Sequence, residues 1–353
     1  MKILILITVL LNIIFLFYEI LEYKQNKQNL IYFLFSCFLI FQAAFRPISS
    51  NDDNAVYIRV FKEIIPTFKN YSIFKSYFFE KGYVFLNMIV KTIDLDIRTV
   101  FLVMSFMSIT IISYSINKIC KYKFLGVYVY ITNFYYINDF IIIRSGVAIA
   151  LLFLAMTYIE REKIKFFIII VIASTFHKTS ILVLIPFIFI KFFLKKIKKY
   201  NIKKILLILI LFFIIGKLSP VYLGLNIFKI FSGEKLNYYI QYNNFMPGNY
   251  MKLLIYTPIL LFFTKYKKKY SNYKYFYGAY SYILMSNISV LFFIENIFFN
   301  RIPYIFSISQ IYLINILVSN FKNKKNILIL IFLIIVFEIL ILLWTLRVYI
   351  GYI

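Results

Sequence analysis

Apolar residues in this chain come in long unbroken blocks, not in alternating or one-faced patterns. Blocks of about 15 to 20 residues recur from end to end of the 353 residues, which is the pattern of membrane-crossing helices. The blocks are 3–22, 30–45, 99–117, 124–138, 140–159, 164–176, 178–194, 205–219, 251–264, 273–294, 302–319 and 326–346. They predict an all-α, polytopic transmembrane helical bundle of about 12 spans, within a range of about 10–14. The segment 83–93 is apolar but too short to cross, and reads as a re-entrant or interfacial helix. No internal repeat or low-complexity linker divides the chain, so residues 1–353 read as a single transmembrane domain.

The polar connections set the orientation. Lysine and arginine concentrate in 23–29, 118–123, 160–165, 195–204, 265–274 and 320–325, which together hold more than half of the 40 basic residues. With the blocks numbered as above, all six clusters fall on one side, and positive charge marks that side as cytoplasmic. Both termini then face outward. The connection 46–98 becomes an extracytoplasmic loop carrying interfacial or re-entrant helices, and 220–250 a second extracytoplasmic loop.

Composition removes whole function classes. The chain is 62% hydrophobic and 15% charged, whereas a soluble domain carries about 45–50% apolar and about 25% charged residues. A net charge of +26 would suit a nucleic-acid partner, but the basic residues lie in short clusters between apolar runs and form no stripe, which excludes one. Cys37 lies inside an apolar run and Cys120 beside a lysine cluster, so neither points to a disulfide or a metal site. The first run, Ile3 to Leu21, is long for a signal peptide and lacks a small-residue cleavage site, so it reads as a retained helix. The excess of Ile, Phe, Tyr, Lys and Asn fits an AT-rich genome, which lowers the weight of any single aromatic.

Against this background a small polar set meets on the outer side: Asp52, Asp53, Glu80, Arg144, His177, and the pair Glu295 and Arg301. An ionisable group near a bilayer costs about 2.5–3.5 kcal/mol at a helix centre and reads as functional by default. Arg144 lies about four residues into a span, after the turn Asn138-Asp139, and small residues follow it: Ser145, Gly146, Ala148, Ala150 and Ala155. It either snorkels to the interface or clamps an anion with its planar fork. His177, the only histidine, is either an ordinary turn residue or a proton-transfer group, since its ordinary pKa of about 6.5 suits that work. Asp52 and Asp53 either cap a helix over Ala55–Ile65 or serve as a general base or cation ligand, and Glu80 has the same two readings. Asp94 and Asp96 have the Asp-x-Asp spacing of metal-binding nucleotide-sugar enzymes. They face outward on this map, where such substrates are absent, and read as a loop ion pair or cap beside Arg98. Arg301 opens a span as Arg301-Ile302-Pro303-Tyr304, with proline in the first turn as helix starts prefer.

The order of these elements carries a resemblance. Asp52, Asp53 and Tyr57 are followed by Glu80-Lys81-Gly82-Tyr83 and Ile143-Arg144-Ser145-Gly146-Val147-Ala148. Then come Ala173-Ser174-Thr175-Phe176-His177-Lys178-Thr179-Ser180 and Arg301. This resembles the EpsG family of exopolysaccharide and capsule membrane proteins, similar in role to Wzy-type polysaccharide polymerases, over roughly residues 30 to 320. Ser145 stands where the family usually carries Gln. The resemblance implies a GT-C-like membrane glycosyltransferase that polymerises undecaprenyl-pyrophosphate-linked repeat units into capsular polysaccharide, exopolysaccharide or O-antigen. It would act on the outer leaflet of the bacterial inner membrane.

That chemistry asks for cations at the departing pyrophosphate, for which Arg144 and Arg301 are the candidates, and a base for the acceptor hydroxyl. His177 is first choice for the base, with Asp52, Asp53 or Glu80 next. The donor is already activated, so no organic cofactor is implied; a divalent cation is compatible but not required. Expected partners are undecaprenyl-pyrophosphate-linked glycans, membrane lipid, a flippase and a chain-length regulator. Two rival readings remain: a GT-C glycosyltransferase using polyprenyl-phosphate sugars, and a flippase or transporter for the lipid-linked unit, which would need no base. A membrane acyltransferase, which a lone histidine also fits, stands behind both.

Overall fold

A computed structural model describes residues 2–21, 25–47, 52–69, 79–197, 201–218, 248–293 and 301–349. Every regular element among them is helical. In chain order these are α1 (Lys2–Leu21), α2 (Gln25–Ala44), α3 (Asp52–Arg59) running into a π turn (Val60–Ile64), α4 (Lys81–Thr92), α5 (Ile97–Ile119) and α6 (Lys123–Tyr130). A second π turn (Ile131–Tyr135) follows, then α7 (Tyr136–Asn138), α8 (Ile143–Met156), α9 (Lys163–Phe176) and a 3-10 turn (Lys178–Val183). The rest are α10 (Leu184–Ile197), α11 (Ile202–Leu218), α12 (Gly248–Lys265), α13 (Lys267–Tyr270), α14 (Phe276–Phe292), α15 (Arg301–Ser307), α16 (Gln310–Ser319) and α17 (Lys324–Tyr349).

Each apolar block of the sequence falls on one or more of these helices. Among the described residues four stretches are long and apolar enough to cross a membrane: Ile3–Leu21, Ile97–Ile119, Ile302–Ser319 and Lys324–Arg347. The segment read as re-entrant or interfacial is α4, 12 residues long and so too short to span. Most of the connection read as a second extracytoplasmic loop, 220–250, lies outside the described residues, as does Glu295.

The chain divides into two compact units, one made of Met1–Thr157, Ile164–Ser180 and Ile314–Ile353, the other of Tyr158–Lys163 and Ile181–Leu313. In the first unit α5 packs against α2, α4, α6 and α8, α1 against α6, and α17 against the second π turn. Small buried residues on α5 (Ser105, Ser108) and α8 (Gly146, Ala148, Ala150) allow close helix approach.

The two ends of this unit differ in chemistry. At one end the lysine-bearing turn before α6 is tied down by polar side chains. Glu19 accepts from the backbone N–H groups of Lys123 (2.6 Å) and Phe124 (3.0 Å). The Lys123 ammonium donates to Asn29 (2.6 Å), and Asn315 accepts from the Lys121 and Tyr122 amides. A carboxylate on free amides at a helix N-terminus is favourable in both hydrogen bonding and dipole. At the other end the starts of α3, α4 and α8 meet the end of α9.

In the second unit α14 packs against α10, α11, α12 and α15. Thr257 donates to Asn287 (2.8 Å) and Ser286 to the Pro303 carbonyl (3.0 Å). Glu160 accepts from the Gly278 amide in the first turn of α14 (2.9 Å).

Candidate functional site

The site is assembled by short helices whose ends are fixed by contacts a sequence does not show. The α3 π turn ends against Lys91 of α4, whose ammonium donates to the carbonyls of Phe61 (2.9 Å), Lys62 (3.0 Å) and Ile65 (2.6 Å). A cation on free carbonyls at a helix C-terminus is a favourable cap. It locks α3, with Tyr57, to α4, with Tyr83. Asp94 has φ 57°, and the Leu95 amide reaches back to Val90 (3.0 Å), so α4 ends in a left-handed cap. The Asp96 side chain accepts from the Thr99 amide and caps α5. The Asp-x-Asp pair is therefore occupied in closing one helix and opening the next.

Glu80 precedes the first residue of α4 in extended conformation. Two residues later Gly82 rests on α9: a Cβ there would stand 2.5 Å from Thr175 Oγ1 and 2.9 Å from the Thr175 carbonyl oxygen. Two residues beyond Thr175, the His177 amide still bonds the Ala173 carbonyl (2.9 Å), completing the last turn of α9. Its ring therefore faces Glu80.

Glu80 lies between two partners. One carboxylate oxygen accepts from the Arg144 guanidinium. The other lies 3.6 Å from His177 Nδ1 and 3.5 Å from the Lys178 amide. The three side chains are only 14%, 11% and 12% exposed for Arg144, Glu80 and His177, so Arg144 is a paired group rather than one reaching for solvent. Burial works against the charge on Glu80, but His177 and Arg144 together outweigh it and hold the carboxyl down at about 2.

Three rings surround the same guanidinium. Its carbon lies 4.3 Å from the Phe79 centroid and 5.8 Å from those of Tyr57 and Tyr83. The rings pack on one another at 5.6–6.2 Å. Cation–π contacts of this kind favour arginine over lysine.

A second polar layer supports the first. Arg46, 2% exposed, donates to the Ala43 carbonyl (2.6 Å) and to Asn54 Oδ1 (3.1 Å) and lies over Phe101 (4.2 Å). Asn54 Nδ2 donates to the Phe140 carbonyl (3.3 Å). Next to Phe140, buried Asp139 accepts from the Tyr130 hydroxyl, and Gly146 of α8 sits where a Cβ would be 2.7 Å from the Asn138 carbonyl oxygen. The turn 138–140 thus holds both α3, through Asn54, and α8, through Gly146.

Of the residues named from the sequence, Glu80, Arg144 and His177 come together, with Tyr57 and Tyr83 around them. Asp52 and Asp53 lie in the first turn of α3, where negative charge suits the helix dipole. Asp53 is part-exposed, one turn before Tyr57; the Asp52 side chain lies outside the described residues. Arg301 opens α15 in the second unit, and its side chain too lies outside them. Sequence reading missed Arg46, Asn54 and Phe79. Arg46 directly follows an apolar run at the start of a polar loop; its only signal is a guanidinium close to Ala43-Ala44 and before Pro47.

Fold and site define a helical membrane protein with a part-buried Arg–Glu–His cluster at one end of its first unit. The family model of the EpsG family matches residues 29–352, nearly the whole chain, and the protein belongs to the EpsG family. It is thereby a membrane protein of polysaccharide biosynthesis. No curated relative and no solved structure matches the chain.

Proposed function

We propose that the protein is a membrane glycosyltransferase that polymerises undecaprenyl-pyrophosphate-linked oligosaccharide units on the outer leaflet. The observation that carries this reading is Glu80 held between Arg144 and His177. A carboxylate on the Nδ1 side of an imidazole orients the ring and leaves Nε2 for the substrate. Glu80 itself is too weak a base for the work, since it is ionised through the neutral range.

His177 Nε2 takes the proton from the acceptor hydroxyl. The acceptor oxygen bonds to the anomeric carbon of the donor glycan, and the bond from that carbon to the pyrophosphate oxygen breaks. Arg144 receives the charge that develops on the departing lipid diphosphate. Glu80 stays ionised and stabilises the imidazolium. The aspartates of α3 are assigned no step, and no cofactor is needed.

Orientation supports the same reading. The Glu80 cluster and the lysine-bearing turn before α6 lie at opposite ends of the first unit. With the lysines cytoplasmic, the cluster would lie on the outer side, where lipid-linked units await polymerisation.

The test is His177→Ala in cells making the polymer. Single lipid-linked units should accumulate on the outer leaflet while long chains disappear. Units trapped on the cytoplasmic leaflet would instead favour a transporter, and normal chain length would end the proposal.

A further inference from the structure

The helix α17 is apolar for most of its 26 residues, and its inward stripe runs through Ile327, Ile331, Ile335, Leu342 and Thr345. Within that stripe, near mid-helix, stands Glu338, 1% exposed. Among the described residues no cation pairs with it. An acid at such a depth is costly and marks a site.

Its partners come from the π turn Ile131–Tyr135, itself a form that recurs at functional positions. One Glu338 oxygen, Oε2, accepts from the Thr132 hydroxyl (2.6 Å) and from Asn133 Nδ2. The Tyr128 hydroxyl of α6 lies close by and donates to the Ile335 carbonyl (3.1 Å). It is the titratable group that faces Glu338 from α6.

The decisive feature is that Thr132 has a second option. Its hydroxyl also lies 3.0 Å from the Tyr128 carbonyl and 3.2 Å from that of Val129, yet it carries one proton. With Glu338 ionised, that proton points at the carboxylate. With Glu338 protonated, the acid O–H donates to Thr132 Oγ1 and the threonine proton turns to Tyr128. Asn133, with two N–H donors, bonds Val129 (3.1 Å) and Glu338 together. Both protonation forms are therefore hydrogen-bonded at the same atoms, and only a hydroxyl rotation separates them. A carboxyl placed solely to pin two helices needs no such second set of bonds.

We propose that Glu338, Thr132 and Asn133 form a proton-binding site inside the membrane, where Glu338 takes up and releases a proton with Thr132 as the rotor. The ligand is the proton, and the site is separate from the Glu80 cluster in both residues and role. Its proof does not depend on the polymerase reading.

The test uses the full-length protein in detergent and the apolar reagent dicyclohexylcarbodiimide, which adds to protonated carboxyls to give a stable acylurea. Labelling is carried out from about pH 5 to about pH 9, and the adduct is located by peptide mass mapping. We expect an adduct on Glu338 whose yield falls at least several-fold as pH rises. Thr132→Val keeps the volume but removes the hydroxyl's bond to either form. The bond to the ionised carboxylate is charge-assisted and about twice as strong, so the ionised form loses more and labelling should persist to higher pH. Absence of an adduct on Glu338, a yield indifferent to pH, or an unshifted profile in Thr132→Val would overturn the proposal.

Discussion

Gly82 lies against Thr175 so closely that a Cβ at Gly82 would stand only 2.5 Å from Thr175 Oγ1. This contact sets the spacing of Glu80 and His177, which flank it by two residues on either side.

Gly82→Ala should therefore part the pair. The expected stability loss is about 1–3 kcal/mol from overpacking, with a larger effect on polymer formation than on folding. Thermal unfolding and glycan chain length measured together check it. Thr175→Ala should relieve the defect only in part, because the Thr175 carbonyl oxygen would still be 2.9 Å away.

Glu80→Gln keeps the shape and removes the charge. It leaves Arg144 buried among three rings without its carboxylate, a loss on the order of 3 kcal/mol by comparison with other broken buried pairs. The carboxyl sits at about 2 in the folded protein, below its ordinary 4.5. Its contribution is therefore complete above the ordinary value and disappears as pH falls from about 4.5 towards about 2. The wild-type protein should lose stability over that window. Glu80→Gln should be flatter there, and equal acid profiles would contradict the assignment.

Arg144→Lys retains a positive charge but not the planar fork or the stacking surface. Polymerisation should drop by roughly 10²-fold, in line with removing one donor aimed at a developing anion. The variant should still reach the membrane at normal levels, which a tagged protein would show. Activity within about two-fold of wild type would mean that a simple point charge suffices.

Asn54→Ala removes the link between Arg46 and the Phe140 carbonyl. A buried guanidinium left short of a partner costs about 1–3 kcal/mol. The effect should concentrate on α3. Hydrogen exchange over residues 52–64 should quicken while α5 is unchanged, and uniform exchange in the two would disprove the local role.

The helices were legible because long apolar blocks admit few alternatives, and the lysine clusters separated them. Glu80, Arg144 and His177 were legible for a related reason: ionisable groups stand out where almost everything is apolar. Their pairing was not, since it depends on Gly82 meeting Thr175 across 93 positions of chain. The π turns at Val60–Ile64 and Ile131–Tyr135 left no mark in hydropathy, because one extra residue per turn barely changes an apolar run. Arg46 and Glu338 escaped notice at the edge and in the middle of such runs, where a single polar letter hardly moves the local average. Their partners lie 8 residues away for Arg46 and over 200 for Glu338.

The wrapping of Arg144 has a consequence for selectivity. Glu80 acts as a resident competitor, so chloride, bicarbonate or acetate arriving with one negative charge must displace a carboxylate already seated on the guanidinium. A diphosphate brings more charge and more oxygens than the occupant it replaces. The cluster should thus stay silent towards simple salts and answer only to polyanions, a contrast that titrating the protein with chloride and then with pyrophosphate would reveal.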